Sequence, residues 1–512
     1  MNPDSSALGH ELADAIARDD LRRLAEIVDS NLWVLVQAHW PALVRALEHL
    51  PEAFFQTRPA VDLVRGFGAS VFLESGQVNA RAVAMASAGD SAALPDRVLD
   101  AILLHEMLAH RLRADFASAL ATAARLRARV ERNDGSGHRP IHEMASFYLL
   151  HVGITTALSG DLDQALRDFA NVRSLHPAAG APLAEYDVAL KSAVVLAALG
   201  RLTEAERTLR SAGAPPELSD PFASQLAATA DAVRALVAVD RLSSDAPELV
   251  AKAVDSNADT EMWPFALLAA TRWSIATGDL VGALDQVDRA VAARPVPRDS
   301  LFGHILYLTR AKALAIMGEV GPALRALELD ESGDAPPAAV VRARLALYTD
   351  GAEAALIAAR RMVVQPGLGP ALRAETMLVA AWAQTRLLGV PDAATAGPLG
   401  ALIAREGLWR ILQLAPERVA EQIPGTEGAP AFERRIVHAE PSTSNRLTAN
   451  ELEVLELLAG PESLPQIAKR RFVSPNTIKT QVASIYRRLG VHGRQEAVAE
   501  AMRRGILTRS LI

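Results

Sequence analysis

The chain is predicted to be all-α: an α-solenoid of antiparallel helix pairs followed by a small four-helix domain. Three observations predict this. Half of the 512 residues are apolar but only 4% are aromatic. The core must therefore be built mainly from Ala and Leu, which favour closely packed helices. Strand signals are scarce, with no sustained alternation of β-branched residues and no hairpin dipeptides between such runs. Finally, a short mark recurs with a period near 40 residues. It consists of a small residue, a charged one, then Leu or Val, with Ala three positions on, closing an apolar helical run.

The elements follow in order. Residues 8–66 read as helix pairs, Leu12–Ile27 and then Trp33–Leu50, broken at Pro51 and Pro59. The mark first appears as Ala114-Asp115-Phe116 with Ala119, and 46 residues later as Gly160-Asp161-Leu162 with Ala165. Gly200-Arg201-Leu202 with Ala205 stands 40 residues on, and a weak copy, Asp240-Arg241-Leu242, 40 further. Gly278-Asp279-Leu280 with Ala283 and Gly318-Glu319-Val320 with Ala323 continue it at intervals of 38 and 40. Gly389-Val390-Pro391 reads as a late, degenerate copy. Glycine ends a helix because it tolerates left-handed dihedrals, and the small Ala lets the next helix pack close. Such a period implies stacked antiparallel helix pairs. Pro, Gly, Ser and Thr crowd Ile423–Asn445, which reads as a linker. The expected domains are residues 8–422, linker 423–445, and 446–512.

Capping chemistry places the last domain's helices. Thr448 and Glu451 form a capping box, flanked by Leu447 and Leu452 at hydrophobic-staple spacing. Helix one then covers Glu451–Leu458 and stops at Gly460-Pro461. Ser463 and Gln466 repeat the box for Leu464–Arg470, and Phe472-Val473 is the apolar turn. Ser474-Pro475 supplies an N-cap and a proline at the first position of Pro475–Leu489. Ile478, Val482, Ile485 and Leu489 fall on one face of that helix. Asn476, Thr480, Ala483 and Arg487 lie opposite, with Lys479 on the shoulder, and none of them is acidic. A fourth helix, Arg494–Arg504, follows the Gly490–Gly493 turn. A short helix, a tight turn and a longer helix with a basic outer face describe a helix-turn-helix, whose second helix lies in the DNA major groove.

The segment resembles the LuxR-type (FixJ/NarL-type) DNA-binding domain. The matching residues are Leu447-Thr448, Glu451, Glu453-Val454-Leu455, Leu457-Leu458-Ala459, Ile467-Ala468, Val473-Ser474, Thr477-Ile478-Lys479, Val482, Ile485-Tyr486, Leu489-Gly490-Val491, Arg494 and Glu496-Ala497-Val498. Gln481 departs from the family's usual His, Arg471 from Leu and Pro461 from Gly. The first departure bears on the operator contacted, the others on local packing. The repeats resemble tetratricopeptide-like repeats, in the longer form of large LuxR-type regulators of the maltose-activator class. The run from Trp40 through Leu50-Pro51 to Pro59 resembles the opening of that region.

Charge agrees with DNA binding. From residue 446 on there are 11 Lys and Arg against 6 Asp and Glu, a balance of +5, so the remainder of a chain at −7 carries −12. A basic block on an acidic chain is the footprint of phosphate binding.

Other chemistries find no support. There are no cysteines, hence no disulfides and no thiolate metal sites. The N-terminus is acidic and amphipathic, without the order of a signal peptide. No apolar run approaches the length of a membrane span, so a cytoplasmic protein is expected. Large regulators of the resembled class carry a nucleotide-binding domain ahead of their repeats. A P-loop needs Gly-Lys before Ser or Thr, yet none of Lys191, Lys252, Lys312, Lys469 and Lys479 follows a glycine. Neither a phosphorylatable receiver domain nor an acyl-homoserine-lactone domain is discernible. His105 and His110 are five apart and cannot share a metal as an i, i+4 pair can. His138 and His142 have the i, i+4 spacing, but Gly137 and Pro140 make a loop of that stretch. Gly367-Leu368-Gly369-Pro370 reads as a turn between helices. Trp33, Trp40, Trp263, Trp273, Trp382 and Trp409 read as packing anchors. No enzyme activity, cofactor or metal is expected.

The expected function is sequence-specific DNA-binding transcription regulation in a bacterial cell. Lys479 and Thr480 are expected at base edges, with Asn476, Ala483 and Arg487 beside them. Arg470, Arg471, Arg488, Ser474 and Thr477 are expected at phosphates, which position without specifying. The resemblance implies a homodimer on two-fold DNA, joined through the fourth helix around Ala497, Val498 and Ala501. Expected partners are double-stranded DNA and an effector or protein on the solenoid, with RNA polymerase a further candidate and no membrane. The alternative is a helical-repeat interaction scaffold whose C-terminal domain binds DNA weakly or not at all.

Overall fold

The structure, a computed structural model, describes residues 5–56, 58, 61, 64–65, 96–134, 145–174, 182–215, 222–295, 297–329, 335–349, 351–432, 436, 438, 447–503 and 506–507. Among these every regular element is a helix, as the alanine-rich composition predicts. None of the described helices is long and apolar enough to cross a membrane.

The first described helices are α1 (Ser5–Ala17), α2 (Leu21–Ala38), α3 (Trp40–His49) and α4 (Glu52–Gln56). The single helix expected over Leu12–Ile27 is broken at Arg18–Asp20. Asp19 adopts a φ of 54° there, and the Asp20 carboxylate caps α2 by accepting from the Arg23 N–H at 3.0 Å. An Asp-Asp pair supplies both a turn and a cap, and it outweighs the apolar periodicity around it. The second expected helix, from Trp33, is likewise divided between α2 and α3. Pro59 lies outside the described residues, as do the side chains of Trp33 and Trp40.

Among the described residues, eight helix pairs come next. They are α5 (Asp96–Leu112) and α6 (Phe116–Asp134), α7 (Ala145–Leu158) and α8 (Leu162–Ser174), α9 (Pro182–Ala198) and α10 (Leu202–Ser211), and α11 (Phe222–Arg241) and α12 (Ala246–Ser256). Then come α13 (Trp263–Ala276) and α14 (Leu280–Ala293), α15 (Leu301–Ile316) and α16 (Val320–Glu328), α17 (Pro336–Leu347) and α18 (Ala352–Val363), and α19 (Pro370–Leu388) and α20 (Ala393–Glu406). A 3-10 turn (Trp409–Leu414) and α21 (Glu417–Ala420) end the series.

The repeat mark works as its chemistry implies. Gly160, Gly200, Gly278 and Gly318 have φ between 80° and 99°, and Ala114 takes the same role at 60°. The following Ala119, Ala165, Ala205, Ala283 and Ala323 are completely buried. The weak copy at residues 240–242 needs a correction of register. Arg241 is the last helical residue, and Leu242, at φ 55°, stands where the glycine stands elsewhere. The loop to α12 is lengthened accordingly. The pair α17–α18 carries no mark, because its glycine, Gly351, caps the second helix instead of ending the first.

The chain divides into two compact units, Met1–Val195 with Arg207–Ala230, and Leu196–Glu206 with Asp231–Ile512. In the first, α5 packs on α6, α6 on α7 and α7 on α8. In the second, α13 packs on α14 and α15, α15 on α16 and α17, and α17 on α18 and α19. From α13 to α17 each first helix thus touches its partner and the next first helix, the contact pattern of stacked repeats.

The linker is less free than its composition suggests. Ile423 and Ile436 are buried, and the Phe432 ring lies 5.8 Å from that of Trp273. His438 places Nδ1 2.8 Å from the Tyr348 hydroxyl and Nε2 3.3 Å from the Gln413 carbonyl. The chain is therefore anchored to the array as far as His438. Among the tryptophans, Trp382 is buried as an anchor, whereas Trp273 and Trp409 line an open cavity of about 550 Å3. His105 is buried in α5 and His110 lies 3.2 Å from the Asp115 carboxylate; His138 and His142 fall outside the described residues. Gly367, at φ 83°, lies in the turn ahead of α19.

A fragment starting at residue 439 is expected to fold alone and to show one cooperative helical melt by circular dichroism. Its apolar residues form a core of their own. The Arg325–Glu456 bridge it would lose, at 3.0 Å and partly exposed, is worth at most about 1 kcal/mol. A fragment without helical signal would place the boundary elsewhere.

Candidate nucleic-acid interface

Among the described residues the C-terminal domain has four helices, α22 (Ala449–Ala459), α23 (Leu464–Arg470), α24 (Pro475–Leu489) and α25 (Arg494–Arg503). The first capping box is complete: Glu451 N–H donates to the Thr448 hydroxyl at 3.2 Å, and Thr448 N–H to the Glu451 carboxylate at 2.7 Å. At the second, Ser463 N–H donates to the Gln466 side-chain oxygen at 2.8 Å. The Ser474 hydroxyl caps α24 by accepting from Thr477 N–H at 3.1 Å.

The turn between α23 and α24 closes with Phe472 N–H on the Lys469 carbonyl and Val473 N–H on the Ala468 carbonyl. Phe472 carries a φ of 55° and is 95% exposed. This tight reversal sets the start of α24. Ile478, Val482, Ile485 and Leu489 are buried, as their spacing requires. They meet Leu452, Leu455, Leu458 and Ile467 in the domain core. The opposite face is open: Asn476, Lys479, Thr480, Ala483 and Arg487 are all exposed. The Ser474 and Thr477 hydroxyls, 2.8 Å apart, stand exposed at the helix N-terminus, where backbone N–H groups favour an anion.

Three expected phosphate contacts look different in place. Arg488 is half-buried, with Nε 3.2 Å from the Glu451 carboxylate and 3.3 Å from the Ser484 hydroxyl. Burial raises the Glu451 carboxyl, but bonds from Ser484 and Thr448 and the Arg488 charge outweigh it and hold it below its ordinary value. The pair clamps the start of α22 to α24, so Arg488 acts inside the domain. Arg471 is ion-paired with Glu453 and donates to Asn450 at 3.2 Å. Arg470 is exposed but bridges Glu462 at 2.7 Å. Lys469, which spacing alone did not single out, is exposed and has no ion pair among the described residues.

The dimer expectation also changes. Ala497 and Ala501 are completely buried in the domain core and cannot meet a second copy. Small residues at i, i+4 here let α25 approach its own domain closely. Gln495, Val498, Ala499 and Met502 share another face, which is partly or fully exposed.

Arg494 belongs to the resemblance without an expected role, and the structure shows its task. Its guanidinium donates to the carbonyls of Leu458 at 2.8 Å, Gly460 at 2.6 Å and Glu462 at 2.7 Å. These include orphan acceptors at the end of α22, which stops at Gly460 without a left-handed cap. One side chain thereby ties α25 to the α22–α23 connection.

Residues 445–501 match the bacterial regulatory proteins of the luxR family. Spore germination protein GerE of Bacillus subtilis (strain 168) is 39% identical over 61 residues, which cover 82% of its length. The chain belongs to the luxR family. Two other family resemblances extend this. The "Probable transcriptional regulatory protein NarL" of Mycobacterium tuberculosis (strain ATCC 25618 / H37Rv) is 49% identical over 61 residues, 12% of this chain and 28% of that one. The "Putative HTH-type transcriptional regulator Rv0890c" of the same strain is 27% identical over 390 residues, 69% of this chain and 43% of that one. This last similarity extends well beyond the LuxR-type domain into the helical array. The chain spans less than half the length of either mycobacterial relative.

Proposed function

We propose that this LuxR-family chain is a sequence-specific, DNA-binding transcription regulator acting in the cytoplasm as a dimer on two-fold DNA. The observation that carries the reading is the outer face of α24, exposed, free of acidic residues and flanked by a capped N-terminus. Lys479 and Thr480 read base edges, with Asn476, Ala483 and Arg487 beside them. Ser474, Thr477 and Lys469 hold phosphates, with Arg470 joining them if it leaves Glu462. The second copy docks on the Gln495, Val498, Ala499 and Met502 face of α25. The helical array binds an effector or a protein partner, and the reading assigns no catalytic step to the chain.

Selection from a random-site DNA pool tests this. Enrichment of a common, two-fold motif is the expected result. No enrichment at low salt, where phosphate attraction is strongest, would favour a scaffold whose C-terminal domain does not read DNA.

A further inference from the structure

The second compact unit holds six charged side chains in one connected cluster. Arg410 bonds Asp240, and Arg272 Nη1 lies 3.0 Å from the same carboxylate. Lys312 Nζ lies 2.9 and 3.1 Å from the two Glu375 oxygens, Arg344 Nη2 lies 3.4 Å from Glu375, and Arg410 Nη2 lies 4.0 Å from it. The side chains of Asp240, Arg344 and Arg410 are at most 3% exposed, and Glu375 is 7% exposed. Four cations thus face two carboxylates.

Burial of uncompensated charge is strongly unfavourable, and a folded core keeps an excess cation only if something offsets it. The donors are also unmatched. Arg344 Nε and Nη1 and Arg410 Nη2 are buried and hydrogen-bond to no group among the described residues. Lys312 and Arg272, at 20% and 16% exposure, are the most accessible members of the cluster.

We propose that this cluster is a binding site for a small phosphate-like oxyanion, held by the free N–H groups of Arg344 and Arg410 with Lys312 beside them. Guanidinium N–H groups match oxyanion geometry, and charge assistance makes such bonds strong. The site lies next to the linker. Arg344 stands in the last turn of α17, just ahead of Tyr348, and Arg410 shares the 3-10 turn with Gln413. Tyr348 and Gln413 are the two residues that hold His438. An anion here therefore sits under the segment that leads to the DNA-binding domain. The inference rests on reading the array as the sensing part of the chain.

The test is calorimetric titration of inorganic phosphate into the full chain without DNA. One site per chain is expected. Burial and the neighbouring Arg344 and Arg410 lower the Lys312 amine to about 8, against the opposing pull of Glu375. An incoming anion raises it again, so binding near that pH should take up protons, seen as heats that differ between buffers. Arg344→Gln should weaken binding about tenfold or more, the loss expected for a charge-assisted contact. No binding up to about 10 mM phosphate overturns the proposal, as does undiminished binding in a folded Arg344→Gln chain. Should that variant fail to fold, binding by the unaltered chain without proton uptake would also overturn it. Because no DNA is present, failure here leaves the site selection to stand or fall separately.

Discussion

Replacing Arg494 with Ala is expected to remove about 3–5 kcal/mol from the stability of the C-terminal domain. Hydrogen bonds involving a charged group contribute about 1.5–3 kcal/mol each, and Arg494 makes three, to Leu458, Gly460 and Glu462. Water recovers part of the loss, because the site is only partly buried. A small domain has about 5 kcal/mol or somewhat more in total, so most of the variant should be unfolded or close to it. Arg494→Lys should not rescue it, since one ammonium cannot match a planar fork spread over three carbonyls. Urea denaturation of the fragment from residue 439, followed by circular dichroism, measures the change. A loss below about 1 kcal/mol would mean that the three carbonyls are satisfied without Arg494.

Asp240→Asn should damage the array by a similar amount while leaving the C-terminal domain intact. Asp240 is completely buried and is the carboxylate shared by Arg272 and Arg410. Removing one partner of a buried ion pair costs about 3–5 kcal/mol, because the remaining charge is left uncompensated. Here two guanidinium groups lose their counter-ion in a cluster that already has an excess of cations. All six tryptophans lie ahead of residue 446, so tryptophan fluorescence reports unfolding of the array alone. A midpoint in urea unchanged from the parent chain would show that Arg272 and Arg410 need no carboxylate there.

What could be read from the sequence was local. Thr448 with Glu451, and Ser474 with Pro475, mark helix starts within four residues, and the structure has those caps. Gly160, Gly200, Gly278 and Gly318 mark helix ends by a backbone conformation that glycine adopts without strain. The same logic failed at Leu242, where a left-handed residue is a leucine and carries no local signal. It failed at the α17–α18 connection too, where the glycine sits on the other side of the loop. Contacts between distant residues were not legible at all. Nothing near Arg488 points to Glu451, and nothing near Ala497 or Ala501 separates an inward face from a docking face. The charge cluster joins residues from Asp240 to Arg410, 170 positions apart, and no periodicity connects them. The linker's composition does not reveal its anchors, because Ile436 and His438 find their partners only in the folded array.

The central claim is that α24 reads bases while its surroundings only position the domain. The most direct measurement compares Lys479→Ala with the parent chain on the selected site and on random DNA, at one salt concentration. Lys479 is exposed on the outer face and makes no ion pair among the described residues, so its loss should not disturb the fold. A base contact is worth about 1–3 kcal/mol, so affinity for the selected site should fall by about 5- to 150-fold. Affinity for random DNA should fall by much less. Equal losses on both would show that Lys479 meets only phosphate and would contradict the assignment of α24 as the reading helix.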